Sequence, residues 1–540
     1  MVFNYASSSN KYSCLSKKFS LFLLMLFVMF NAVAQTAVSK TVFNVKNYAA
    51  KGNGKALDTK AINKAIDAAA AAGGGTVYFP PGVYLSASIH LKSNITLYLE
   101  AGSTIEAVSD SIAKYDLPEP NEAGANYQDY GHSHWKNSLI WGIGLENVSI
   151  LGPGLIYGKG LNPGFNRFAD ESKGQRRYQD GGPGSANKAI ALRDCKNVIL
   201  RDFSILHGGH FGVLATGVDN MTVDNVKFDT NRDGIDIDCC NNVRITNCSV
   251  NTPWDDGICL KASYGLGKIK HCENITISNC FLAGNFDEGT MLDATFKRST
   301  PEYKSYKTGR IKLGTESNGD FKNITITNCV FDDSRGIAIE SVDGSHIEDI
   351  AISNITMRRA SNSPIFIRLG SRLRGPNNPP VGTIKRISIN NVVVSDASSS
   401  GATTISGIPG HYIEDIRMSN IYVNYSGGGS EADNEKVPTE NERGYPEPGM
   451  FGALPAYGFY FRHVKGIEMN HVKLNYTKPE GRNAFVLDDV QDAYFDYLNI
   501  KKGTGTASFF DLRKVGDLSI QESRNMKAVK IDTIVERQKL

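Results

Sequence analysis

Two phrases in the chain put carboxylates at a spacing that invites chemistry. They are Asn231-Arg232-Asp233-Gly234-Ile235-Asp236-Ile237-Asp238 and Trp254-Asp255-Asp256-Gly257-Ile258-Cys259-Leu260-Lys261. Both contain Asp-Gly-Ile, and Asp233 precedes Asp256 by 23 residues. If 23 residues make one coil of a repeating structure, Asp233 comes within about 4.8 Å of the Asp255-Asp256 pair, one strand spacing away. Three carboxylates that close repel unless they share a proton or a cation. Glycosidic hydrolysis gives such a cluster a purpose: one carboxyl protonates the leaving oxygen and another activates water. Crowding raises the pKa of one member, which keeps an acid available.

Strand register suggests which acid that is. Ile258 and Leu260 should point inward, so Asp255, Gly257, Cys259 and Lys261 share the outward face. Asp255 is the candidate acid, with Lys261 beside it. Asp236 and Asp238 read as solvated or turn-bonding residues. The competing use of the three acids is a hard-cation site for calcium. His210, in His207-Gly208-Gly209-His210, falls one coil earlier, where it could bond sugar hydroxyls or serve as a plain turn histidine. His132 and His134 remain unassigned.

The frame that would position these residues is a repeat. A phrase of Asn or Asp followed by alternating apolar and polar residues recurs at Asn147, Asn197, Asn220, Asn242, Asn274, Asn323, Asp349, Asp415 and, in variant form, at Arg386 and Gly466. Alternation of period two marks strands with one buried face. The tightest intervals are 23 and 22 residues, and the longer ones leave room for inserted loops. Such periods predict a solenoid. The intervals vary too much for a propeller, and hairpin signals for a sandwich are scarce. The recurrent Asn suits turns, because it tolerates left-handed backbone, and such residues can form a ladder from coil to coil. Thr59 to Ala72 reads as a helix capped by Asp58 and ended by Gly73-Gly74-Gly75, placed to cover the open end of the core. The predicted fold is all-β, a single-stranded right-handed parallel β-helix with a short N-terminal capping helix. Polar segments at 109–137, 167–185 and 427–452 read as projecting loops. An insertion at 285–308 is expected to line the cleft.

Composition agrees with one exported domain. Lys11, Lys17 and Lys18 precede an apolar run from Leu21 to Phe30 and then Ala32-Val33-Ala34, the pattern of a cleaved export signal. The expected division is a signal peptide over residues 1–34 and a catalytic β-helix over 35–540, destined for the periplasm or the exterior. Removing three lysines leaves 56 cations against 56 anions. That neutrality argues against nucleic acid as partner. No later apolar stretch suggests a membrane, and a monomer is expected. Of the eight remaining cysteines, Cys248, Cys280 and Cys329 sit at one position of the repeat phrase. They are expected to stack as small core residues, with disulfides as the alternative.

These residues make the chain resemble glycoside hydrolase family 28, the polygalacturonases and rhamnogalacturonan hydrolases of the pectin-lyase-like fold. DTKAINKAIDAAAAAGGGTVYFPPGVYL is similar to that fold's N-terminal cap and first coil. NRDGIDID resembles N-T-D-G-I-D-I with Arg232 in place of Thr, and DDGICLK resembles D-D-x-I-A-I-K. The resemblance, over roughly Phe43 to Ile500, implies an inverting hydrolase acting on an anionic polysaccharide or its oligosaccharides. It implies Asp255 as acid, Asp233 and Asp256 holding the attacking water, and neither metal nor cofactor. Two departures follow. The coil expected to carry G-H-G has no His, and the coil expected to carry R-I-K reads Arg335-Gly336-Ile337-Ala338-Ile339-Glu340. Arg310-Ile311-Lys312 spells R-I-K one phrase early, which makes Arg310 and Lys312 the uronate-binding candidates, beside His210 and Lys261. An arginine fork matches both oxygens of a carboxylate. The second functional reading is a lyase or dehydratase using Lys261, Lys312 or His210 as base. The third is a carbohydrate-binding protein without activity.

Overall fold

A computed structural model of the chain describes residues 41–120, 127, 132–164, 181–298 and 307–540. The expected signal segment lies outside the described residues.

Parallel strands wind into a continuous coil of three faces. One face stacks Ile140–Ile143, Lys188–Arg193, Phe211–Thr216, Asp233–Asp238, Ile258–Ala262, Ile311–Ser317, Ile337–Ser341 and Ile365–Leu369, each parallel to the next. The repeat phrases form the other two faces, as in Lys196–Arg201, Asp219–Asp224 and Asn241–Thr246 with Ser204–Leu206, Lys227–Asp229 and Ser249–Asn251. The alternation seen in the sequence becomes stacked apolar columns, for example Ile275, Ile324, Ile350 and Ile387, all within 2 % of complete burial. Burying each such side chain contributes roughly 1.5–3 kcal/mol, so the core grows with every coil.

The turns confirm the expected ladder. Asn94, Asn147, Asn197 and Asn220 all adopt positive φ, and the amides of the last three each donate to the Asn of the preceding coil. A second ladder runs through Asn247, Asn279, Asn328, Asn354 and Asn391. The eight cysteines among the described residues are free and buried. Cys248, Cys280 and Cys329 each donate to the carbonyl two residues earlier, at 3.3, 3.2 and 3.3 Å, so the repeat phrase gives all three one environment.

The helix Thr59–Ala71 buries Ile62, Ala65, Ile66 and Ala69 against the first coils. Asp58 does not cap it with a side-chain bond. Its carboxylate instead accepts from the backbone N–H groups of Lys51 and Gly52, at 2.7 and 2.9 Å, which ties the preceding loop to the helix start. The other end is closed by Val529–Ile531 and Val535–Lys539, which pair antiparallel with Phe510–Gln521. Both devices cover edges that would otherwise expose unpaired strand.

Candidate active site

The two Asp-Gly-Ile phrases are neighbouring rungs. Ile235 pairs with Ile258 and Asp236 with Cys259, which sets Asp233 beside Asp256. Glycine at the second position is a close-approach requirement. A Cβ on Gly234 would come within 2.5 Å of the Gly257 carbonyl oxygen, and one on Gly212 within 2.6 Å of that of Gly234. Chain packing therefore demands the glycine that follows Asp233.

Oxygens of Asp233, Asp255 and Asp256 lie within 4.8 Å of one another, as the sequence spacing predicts. Their environments differ. Asp255 is the most accessible, with a quarter of its side chain exposed. Arg232 donates to its Oδ2 from Nε at 3.0 Å, and the Asp256 N–H donates to its Oδ1 at 3.1 Å. Asp256 is buried and ion-paired with Arg310, 2.6 Å from Nε, and with Lys312. Burial opposes its ionisation, but the Arg310 and Lys312 charges outweigh that and hold its carboxyl below the ordinary range. Asp233 is pushed the other way. Burial first, then the Asp255 and Asp236 charges, raise its pKa well above the usual carboxylate value. His210 stacks on Phe211 with ring centroids 4.1 Å apart, and its Nε2 lies 3.6 Å from Asp233. Burial, then Arg232, keeps it neutral far below the ordinary histidine pKa.

Three sequence readings need correction here. Asp236 and Asp238 are not solvated but completely buried. Asp236 meets His132 at 3.1 Å and Lys261 at 3.5 Å, and Asp238 accepts from the Ser263 hydroxyl at 2.6 Å. Second, alternation does not extend back from Ile258 to Asp256. The strand begins only at Ile258, and the bend before it lets Asp256 join the outward cations. Third, Lys261 does not stand open beside Asp255. It is buried between Asp236 and Glu316, 3.1 Å from the latter. Burial disfavours its charge, but Asp236 and Glu316 more than restore it and raise its pKa well above the lysine value.

Arg310 and Lys312 sit on the rung directly after Ile258–Ala262, where Cys259 pairs with Lys312. The early R-I-K thus stands one rung from the paired acids. Arg310 also donates from both terminal nitrogens to Glu447, at 3.2 and 2.7 Å, and Arg335 reaches the same carboxylate at 3.1 Å. Glu340 lies among these groups, completely buried, with neither oxygen hydrogen-bonded. Burial lifts its pKa to about 8, against the lowering influence of Arg310 and Lys312. Nothing local in the sequence marks Glu447 or Glu340, and His132 and Asp236 acquire meaning only from their meeting.

Loops bound this face on both sides. Toward the N-terminus, Trp135 packs on the outward residues Ala191, Phe211 and Leu214, and its indole donates to Thr216 at 3.0 Å. Toward the C-terminus, Phe451 and Leu454 pack on Ala338, Phe366 and Ala402. The insertion after the paired acids is anchored at Asp229, which accepts from Thr290 at 2.7 Å and from the Met291 N–H at 2.8 Å. Among the described residues, His132 with Asp233 and Asp236, and the three acids themselves, have a spacing that could hold a cation. Lys261, Arg310 and Lys312 already bring positive charge to Asp236 and Asp256.

Fold and site together describe a parallel β-helix with a carboxylate cluster and its counter-ions on one outward face. Residues 42–149 match the family model described as rhamnogalacturonase A/epimerase, pectate lyase-like, and residues 178–300 match the right-handed β-helix region. An exo-poly-α-D-galacturonosidase of Dickeya chrysanthemi is 28 % identical over 272 residues, covering 43 % of this chain and 43 % of that protein. A probable polygalacturonase of Vitis vinifera is 24 % identical over 402 residues, 72 % of this chain and 74 % of that one. The matched stretch spans under half of the Dickeya protein. The family 28 exopolygalacturonase structure from Yersinia enterocolitica superposes with a TM-score of 0.52 at 18 % identity, over 90 % of this chain and 79 % of that chain. The chain is a right-handed parallel β-helix, and these relatives are polygalacturonases, as the two acidic motifs led us to expect.

Proposed function

We propose that this protein is an exported glycoside hydrolase that cuts bonds to uronic acid sugars in pectin-like polysaccharide or its oligosaccharides. One observation carries the reading. Asp233, whose proton affinity burial and neighbouring carboxylates raise, and Asp256, whose proton affinity buried cations lower, lie within 4.8 Å of each other and of the accessible Asp255. Carboxyls driven apart in pKa supply an acid and a base from one residue type. In this reading Asp233 carries the cluster's proton and passes it through Asp255 to the glycosidic oxygen, and Asp256 with the ionised Asp233 orients the water and takes its proton, which restores the cluster. The likeness to polygalacturonases supports the substrate class, and loops bounding the face on both sides favour chain ends or short oligosaccharides.

Stereochemistry is a separate matter. Inverting enzymes usually separate their carboxyls by roughly 6.5–9.5 Å to admit a water. The nearest oxygens here are closer, within 4.8 Å, so inversion is supported by the resemblance and not by this spacing. The lyase reading narrows to one base. Lys261 and Lys312 are paired and held protonated, which leaves neutral His210.

Mass spectrometry of products from oligogalacturonides and a panel of pectins tests the proposal. Products that gain water, with activity unaffected by a calcium chelator, support it. Unsaturated products absorbing in the ultraviolet sink it in favour of a lyase. No products from any uronate substrate leave only a binding protein.

A further inference from the structure

We propose that Glu447 is a specificity-determining residue: its carboxylate occupies the Arg310 fork that a substrate uronate would need, so the sugar bound on that side of the acids carries no free carboxylate. The inference rests on the hydrolase reading and adds to it the chemistry of one substrate position.

A guanidinium offers two edges that match a carboxylate, and both edges of Arg310 are engaged. Nε donates to Asp256 at 2.6 Å. The other edge, both terminal nitrogens, holds the two oxygens of Glu447 at 3.2 and 2.7 Å. Arg310 is only 3 % exposed at its side chain, so it has no open flank from which to take a second anion. Lys312 is bound to Asp256. The cations nearest the acids are thus already neutralised from within the chain, and a uronate arriving here meets the Glu447 carboxylate.

Glu447 is also held from its own side. It immediately precedes the short 3-10 turn Pro448–Phe451, and Phe451 is buried among Ala338, Phe366, Ala402 and Tyr460. Arg368 lies over the Phe451 ring, 5.3 Å from its centre, and donates to the Glu440 carbonyl at 2.8 Å. Tyr445 accepts a hydrogen bond from Thr315, at 3.2 Å. Arg335 adds a second guanidinium to Glu447 at 3.1 Å. Displacing this carboxylate means lifting an anchored segment, whereas a neutral or methyl-esterified sugar can dock against it and bond its oxygens through hydroxyls.

The test compares wild type and Glu447→Gln on trigalacturonate and on its fully methyl-esterified form. We expect wild type to favour the ester. In Glu447→Gln the ratio of kcat/KM for acid over ester should rise at least tenfold, through a lower KM for the acid. An unchanged ratio, or a shift toward the ester, overturns the proposal. Calorimetric titration with galacturonate reads the same question without turnover: the variant should bind at least tenfold more tightly than wild type, and equal affinity overturns it. If neither protein releases product from any substrate, the hydrolase reading falls, and the titration alone decides on Glu447. Should Glu447→Gln fail to fold, Arg335→Ala loosens Glu447 without removing it. It should shift both measurements in the same direction, and no shift overturns the proposal.

Discussion

Arg232 and Asp255 are one coil apart, and their side chains meet across it, Nε to Oδ2 at 3.0 Å. Arg232 stands in the motif where a threonine is the usual residue of the resembling family. It therefore brings a permanent positive charge into the carboxylate cluster. The same guanidinium lies 3.3 Å from Nδ1 of His210. It lowers the proton affinity of both His210 and Asp233, although burial dominates each.

Replacing Arg232 by Thr should remove that lowering influence. Asp233 and His210 would then bind protons more tightly, and the alkaline limb of the kcat/KM profile should move to higher pH. A pH–rate profile of Arg232→Thr that superimposes on wild type, after scaling, shows that the guanidinium is not electrically coupled to the reaction.

The acids should separate when each is changed to Asn. General acid catalysis typically contributes roughly 10²–10⁴-fold, so Asp255→Asn should lose about that much turnover while keeping its thermal transition. Asp256→Asn should lose activity and stability together. It leaves buried Arg310 and Lys312 without their shared anion, and breaking a buried pair costs about 3–5 kcal/mol. Calorimetry distinguishes the two. Near-normal turnover in a folded Asp255→Asn removes it as the acid.

Lys261→Met should act mainly on stability. It removes one cation from buried Asp236 and Glu316, of which Glu316 keeps Arg374 at 3.3 Å, again at about 3–5 kcal/mol. If the variant melts like wild type but shows a raised KM, Lys261 contacts substrate and its structural role is secondary.

Glu340 links stability to pH. Its pKa is raised to about 8 in the folded chain, against an ordinary value of 4.5. Between those values the folded state holds a proton that the unfolded state has released. This contribution to stability is fully present below about 4.5 and is lost as pH rises through about 8. Asp256 has the opposite sign: its lowered pKa adds stability at neutral pH that is lost in acid. Glu340→Gln mimics the protonated form. It should match wild type in stability near pH 4.5 and exceed it near pH 8 by a few kcal/mol, at about 1.4 kcal/mol per pKa unit, with a correspondingly higher melting temperature. Parallel melting curves from pH 5 to 9 would refute the assignment.

The β-helix is legible in the amino-acid sequence because its signals are local. Period-two alternation decides which face of each strand is buried, and a residue that tolerates left-handed backbone, most often Asn or Asp, marks many of the corners. Both signals recur along the coils, so a short window contains the rule for most of the core. The rung relationship of Asp233 and Asp256 follows from the same arithmetic, since neighbouring coils of 22 and 23 residues place equivalent positions one strand spacing apart. The electrostatics of the site obey no such rule. Whether Lys261 is open or sealed depends on Glu316, 55 residues later, and whether Arg310 is available depends on Glu447, 137 residues later. The second of these pairings comes from a loop that folds back over the sheet, and a loop carries no period by which its landing place can be read. The first crosses the insertion after the paired acids, whose length hides which residue comes next on the stack. The sequence by itself thus determined the scaffold and the meeting of three acids. Only the tertiary structure decided which acid has its proton affinity raised, which has it lowered, and which cations are already paired, because those depend on burial and on charges brought together from distant coils.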